Sequence, residues 1–247
     1  MNPAGSPHAD AYGSPARAFR GAALEVIGAP GLVLAASYVG FGSLVRGSDL
    51  SVFAGIFSTV TGWALPGQIA LVELYGIGAS VLAIAIAVAL TNVRLLPMTL
   101  ALMPYLRHPG TPRWRYYAVA HVIAVTGWVQ TMRRAPDLPT EERLPYLAGF
   151  SGALWTLTIV STGAGWYLAG AVPPSISLGL VFLNPIYFML VLTADLRDRA
   201  RFRAMLLGAL CGPLFHLISP NWGLLLTGLV AGTVAYLPKW LEARRHG

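Results

Sequence analysis

Chemistry can be read most directly from Arg94. The tripeptide Asn92-Val93-Arg94 lies in a stretch, residues 74–106, that carries no other charged side chain. An arginine at bilayer depth costs roughly 2.5–3.5 kcal/mol, so its guanidinium must face the protein interior or reach for the interface. The planar fork of donors matches a carboxylate, which makes Arg94 a candidate anchor for an acidic group. It equally suits backbone carbonyls set free near Pro66 or Pro97, and the sequence leaves both roles open.

Two further places put polar groups where an apolar helix is expected: Thr61-Gly62-Trp63-Ala64-Leu65-Pro66-Gly67-Gln68 and Phe182-Leu183-Asn184-Pro185. A proline removes a backbone donor and frees a carbonyl, and lipid tolerates such groups only where protein or a cavity surrounds them. The pattern predicts non-helical or sharply kinked backbone over residues 61–68 and 183–186, beside one interior cavity. Its substrate-binding candidates are Gly62, Pro66, Gly67, Gln68, Asn92, Arg94 and Asn184. Paired interrupted spans of this kind point to a transport site. Glu73 closes an uncharged run and is the candidate for ion coupling if it faces that cavity. Tyr75, Gly76 and Gly78, which follow at once, read instead as an interfacial loop.

Other chemistries find no foothold. There is no Gly-x-x-x-x-Gly-Lys-Ser/Thr loop, no His-Glu-x-x-His and no nucleophile elbow, so no catalytic residue is assigned. His108, His121 and His216 lack metal-ligand spacing, Asp195 and Asp198 stand among arginines as local ion-pair partners, and Cys211 is the one cysteine. No metal site, disulfide or cofactor is expected.

The elements that must hold these residues are legible in the composition. Of 247 residues, 55% are hydrophobic and 11% charged, too few ionic groups to solvate a soluble surface of this size. Uncharged runs cover residues 26–45, 51–72, 74–93, 116–132, 144–194 and 204–238. The last two runs contain turn signals at Pro173-Pro174 and Ser219-Pro220-Asn221, so each reads as a helical hairpin. A span needs about 20 apolar residues, and residues 81–89 are apolar on both faces, against a β-barrel. The fold class is therefore all-α: a polytopic transmembrane bundle of about seven or eight segments with broken helices. Predicted helices cover residues 24–45, 51–75, 77–106, 114–132, 145–169, 175–196, 203–218 and 222–240. Pro66 and Pro97, echoed by Pro185 and Pro213, suggest an internal repeat. Residues 1–20 read as a disordered, solvated tail, 21–240 as one transport domain and 241–247 as a basic tail.

The net charge of +7 lies almost wholly between the apolar runs, which is membrane topology and not a nucleic-acid surface. Arg197, Arg199, Arg201 and Arg203 share one connection, and Lys239, Arg244 and Arg245 follow the last span. Both regions are expected on the cytoplasmic side, as are Arg17 and Arg20. Eight full spans would put Arg107, Arg113 and Arg115 outside, so the count of full spans stays open against a re-entrant segment.

The stretch from Phe41 to Arg107 resembles the AzlC-type branched-chain amino acid permeases, the large subunits of two-component amino acid exporters. It shares a glycine-rich break ending in glutamine (Gly62 to Gln68), an Asn-x-Arg signature (Asn92, Arg94) and Pro104-Tyr105-Leu106-Arg107. Residues 155–163 and 177–180 look similar too, and the resemblance covers most of residues 25–238. Departures are Leu95 where the family has a histidine, Thr126-Gly127-Trp128 where it has an acidic pair, and Val181 in place of an aspartate. The resemblance implies a divergent secondary carrier in the cell (inner) membrane. It would export a branched-chain or other small apolar amino acid with a small AzlD-like membrane subunit, with lipids around it and no nucleic acid. Alternatively, the basic connections would hold head groups for an integral membrane enzyme acting on lipid phosphates.

Overall fold

The computed structural model describes residues 12–171, 173–193, 199–218 and 223–245. Among them the chain is helix and turn, running α1 (Pro15–Glu25), α2 (Ala29–Gly47), α3 (Val52–Thr61), α4 (Leu65–Gly76), α5 (Val81–Asn92), α6 (Leu95–Leu106), α7 (Arg113–His121), α8 (Val125–Arg134), α9 (Thr140–Leu168), α10 (Pro174–Thr193), α11 (Arg199–Ile218) and α12 (Gly223–Arg245). The result is an all-α membrane bundle. Among the described residues, α2 and α9 are each long and apolar enough to cross a bilayer, and α5 with α6, bent by 41° at their junction, make a third such unit.

Local signals place the starts. Ser14, Ser51 and Ser80 accept hydrogen bonds from the N–H groups of Arg17, Ala54 and Ala83, as short polar side chains do at an N-cap. Pro30 and Pro66 stand in first turns, where no intrahelical N–H is needed.

α9 is the central post, flanked by α1, α2, α3 and α8, with α10 on the far side of α2. The α2–α9 contact is close because both helices contribute glycine. A methyl group at Gly42 would overlap the Thr162 carbonyl, and one at Gly165 the Val39 carbonyl. Arg46 then closes the end of α9: its Nη1 donates to the Trp166 and Tyr167 carbonyls at 3.2 and 3.4 Å, and its guanidinium lies 4.8 Å above the Trp166 ring.

Three expectations need correction. Residues 12–20 are not a solvated tail. From Pro15 they form α1, whose Ala18 and Ala22 are buried and whose Phe19 backbone lies on Gly149 of α9; small side chains one turn apart let it dock without a wide apolar face. The segment 114–132 is two helices, because Ala124 adopts an extended conformation. No interruption occurs over residues 183–186, since α10 is continuous there; one proline forfeits a single hydrogen bond, and the rest of the ladder carries the helix through. Only the backbone of Asn184 is described. Asp195 and Asp198 lie outside the described residues.

α1 is fastened at its C-terminal end. Glu25 accepts hydrogen bonds from Tyr12 Oη, from Tyr146 Oη at 2.6 Å and from Gln130 Nε2 at 3.2 Å, and Arg134 lies 4.0 Å away. Partial burial works to raise the Glu25 carboxyl. The hydrogen bonds from Tyr12, Tyr146 and Gln130, with the Arg134 charge, outweigh it and leave the group below the usual carboxylate range. Stability drawn from this cluster is present above that usual range and is lost as pH falls through the lowered value.

Gly165→Ala should force α2 and α9 apart and cost about 1–3 kcal/mol, lowering the melting temperature of the detergent-solubilised protein. Gly152→Ala, whose added methyl would meet open space, should leave it unchanged. Acidification should lower the melting temperature of the wild type more steeply than that of Glu25→Gln.

Candidate functional site

Three helix breaks, at residues 62–64, 93–94 and 122–124, come together in space. A void of about 50 Å³ is lined by Trp63, Ala64, Leu65 and Pro66 from the first, Arg94 and Leu95 from the second, and Ala124, Val125 and Thr126 from the third. Leu34 and Tyr38 of α2 close it. His121 ties the third break to the first: its Nε2 lies 2.7 Å from the Val60 carbonyl. With a carbonyl as partner that nitrogen must donate, so it satisfies an acceptor in the last turn of α3.

Each break leaves helix-start N–H groups short of partners. α4 and α8 begin after Ala64 and Ala124, both extended, and neither start has a side-chain cap. Pro66 has no N–H to offer, so the groups exposed on α4 are those of Leu65 and Gly67. Two positive helix ends thus sit beside the Arg94 guanidinium, an environment that favours an anion. Arg94 Nε is buried and has no hydrogen-bond partner among the described residues. A clamp on freed carbonyls would have used it.

Beside this junction opens a cavity of about 620 Å³. Leu65, Pro66, Ile69, Val72 and Glu73 supply one stripe of α4, and Leu178, Val181, Phe182 and Met189 supply a face of α10. Leu44 and Ser48 of α2, Val125 of α8 and Arg94 complete the described lining. It is apolar apart from Arg94, Glu73 and Ser48. Arg94 lies at the end of the α4 stripe marked by Pro66, while Glu73 is two turns along, about 10 Å of helix rise, and is exposed.

The residues singled out from the sequence therefore part ways. Arg94 and Pro66 line both spaces, and Glu73 lines the larger. Gly67 and Asn92 touch each other just behind: a methyl at Gly67 would come within 2.7 Å of Asn92 Oδ1, an acceptor that is itself buried without a partner. Gly62 terminates α3 and makes the first break.

Gln68 points elsewhere. Its Oε1 accepts from Tyr38 Oη at 3.0 Å, and its Nε2 donates to Ser58 Oγ at 3.1 Å and Thr59 Oγ1 at 2.9 Å. Thr59 in turn meets Thr162 Oγ1 at 3.1 Å. With both amide protons used, Gln68 holds α2, α3, α4 and α9 together and does not line the cavity. Nothing in residue type or spacing marks Tyr38, Ser48 or Val125 in advance. The α10 face did carry one, in the helical spacing of Leu178, Val181, Phe182 and Met189.

Residues 30–172 match the family model described as AzlC protein. No curated protein and no solved structure matches the chain.

Tyr38→Phe leaves the Gln68 carbonyl without its donor in a buried place, at about 1–3 kcal/mol. The variant should melt at a lower temperature than the wild type, as read by thermal unfolding of the detergent-solubilised protein.

Proposed function

The chain belongs to the AzlC family, and from that premise we propose that it is a secondary carrier that exports a small apolar amino acid across the cell (inner) membrane. It is a carrier and not an enzyme. Amino acid transport follows from the family; the substrate, the direction and the roles of individual residues are the content of the proposal. The observation that carries it is the cavity of about 620 Å³ with the buried, unpartnered Nε of Arg94 at one end and an apolar wall along the rest. Its size falls within the range of small-molecule sites.

The chemistry divides along the cavity. Arg94, with the starts of α4 and α8, receives the carboxylate. Ile69, Val72, Val125, Leu178 and Val181 form a surface against which an aliphatic side chain gains by leaving water. Pro66 and Gly67 shape the α4 start, and Asn92 fixes the α5 end beside it. Gly62 makes the break, Gln68 secures it from behind, and Asn184 is retained as a binding candidate from the sequence alone. Glu73 stands at the far end of the α4 stripe, where an ammonium group passing along the cavity meets a negative charge.

The family resemblance also implies a small AzlD-like membrane subunit. α5, among whose described residues none is buried, offers an apolar face to lipid or to that subunit. The rival reading, an enzyme acting on lipid phosphates, would leave the cavity without a task, since Arg107, Arg113 and Arg115 are not in its described lining.

Arg94→Lys keeps the charge and loses the two-pronged geometry. It should fold with a near-normal melting temperature while solute affinity falls about tenfold to a hundredfold. Arg94→Gln should lose affinity at least as far. A lowered melting temperature in both variants with unchanged affinity would make Arg94 a structural clamp and refute the assignment.

A further inference from the structure

The cavity beside Arg94 is longer than a single amino acid. Its α4 wall runs from Leu65 to Glu73 and its α10 wall from Leu178 to Met189, about 12 and 16 Å of helix rise. At roughly 30 Å³ per water, its volume of about 620 Å³ equals that of about twenty waters. Leucine has fewer than half that number of non-hydrogen atoms.

Its two charges stand at opposite ends. Arg94 shares the inner end with Pro66, and its Nε is buried without a hydrogen-bond partner among the described residues. Glu73 closes the α4 wall about 10 Å of helix rise beyond Pro66, and no described residue pairs with it. Ser48 marks the same outer end: Leu34 and Tyr38 of α2 line the void at Arg94, whereas Leu44 and Ser48 line only the larger space. Between the ends the described walls are apolar. A free amino acid carries its ammonium and carboxylate on one carbon, about 2.5 Å apart from nitrogen to carboxyl carbon. It can meet one end of this cavity and not both. Helical side chains lean toward the helix N-terminus, so Glu73 leans along α4 toward Pro66 and shortens the gap. One more residue of extended chain adds about 3.6 Å, which brings the separation of the charged groups to about 6 Å.

We propose that this cavity also takes apolar dipeptides, with the C-terminal carboxylate at Arg94, the N-terminal ammonium at Glu73 and two aliphatic side chains against the α4 and α10 walls. This rests on the carrier reading above and gives Glu73, the sequence candidate for ion coupling, a contact with the solute. The ammonium donates to the Glu73 carboxylate in a charge-assisted hydrogen bond, and Ser48 Oγ at the same end can accept another. Ile69, Val72, Leu178 and Val181 cover the side chains, each of which gains by leaving water. The single peptide group needs a partner that the apolar walls do not supply; the volume a dipeptide leaves free holds water to serve it. Each further residue would bring another peptide group against the same walls, so two residues is the length that spans the charges at least cost.

The experiment uses the purified full chain, with L-leucyl-L-leucine as the probe. The dipeptide should displace radiolabelled L-leucine at about tenfold lower concentration than unlabelled leucine does. N-acetyl-L-leucyl-L-leucine, which has no ammonium, should lose that advantage. Glu73→Gln should lower the ratio of dipeptide affinity to leucine affinity by about tenfold; should it fail to fold, the acetylated probe on the wild type decides. In proteoliposomes loaded with the dipeptide, radiolabelled dipeptide should enter by exchange. A dipeptide that binds no better than its acetylated form, a wild-type affinity ratio in folded Glu73→Gln, or binding without exchange would each overturn the inference. Leucine exchange in vesicles of the same protein would then leave the carrier reading standing. A wild type that exchanges neither leucine nor dipeptide would overturn the carrier reading and, with it, this one.

Discussion

A helix that stops inside a bilayer leaves backbone N–H and C=O groups that lipid cannot satisfy, and the organisation of this protein follows from where it puts those stops. The breaks at residues 62–64, 93–94 and 122–124 meet around one void, so each supplies part of the polar surroundings that the others need. His121 serves a carbonyl at the end of α3, and the starts of α4 and α8 are left uncapped by side chains. An anion beside Arg94 would answer those starts and the buried Nε of Arg94 together. On the proposed reading, the structural problem created by the breaks and the recognition of a carboxylate share one solution.

Such a junction is useful only if it keeps its shape, and the surroundings are built for rigidity. Glycines at 42 and 165 bring α2 against α9 with backbone in contact. The Tyr38–Gln68–Thr59–Thr162 chain then pins the start of α4 to that pair from behind. Buried hydrogen bonds between helices are individually modest in membranes, about 1 kcal/mol, but this set joins four elements at one level. The cavity borders the adjoining side of α4, where Leu65, Ile69 and Val72 line it together with residues of α10. One short helix therefore carries the hydrogen-bonded tie and the cavity lining on adjoining faces.

Much of this was legible in the sequence, for identifiable reasons. Gly62 and Pro66 announce a break because one weakens a helix and the other cannot extend its ladder. Arg94 announces an interior contact or a reach to the interface, because an arginine in a long uncharged stretch has only those two places to go, and its buried Nε shows the first. The helical bundle follows from the apolar runs, although α1 did not, since it docks through alanines and a glycine on its partner, which read as tail composition. Gln68 reads as a ligand group because an amide at membrane depth needs partners, and composition cannot say whether a solute or three hydroxyls supply them. Pro185 was expected to interrupt α10, but a proline costs one hydrogen bond and the outcome depends on packing. The break before α8 had no glycine or proline to mark it. The contacts seen beside it are tertiary, His121 with the Val60 carbonyl of α3 and with the Trp155 ring of α9, and single-sequence patterns do not contain them.

The central claim is that the carboxylate of the solute is what the Arg94 end of the cavity recognises. The most direct test is competition against radiolabelled L-leucine on the wild-type protein by two analogues of equal bulk, leucinol, which lacks the carboxylate, and 4-methylvalerate, which lacks the ammonium. Loss of the charge-assisted contact should weaken leucinol by about tenfold or more, while 4-methylvalerate should compete more strongly than leucinol. Leucinol displacing leucine as well as leucine itself does would contradict the claim and move recognition to the apolar wall and Glu73.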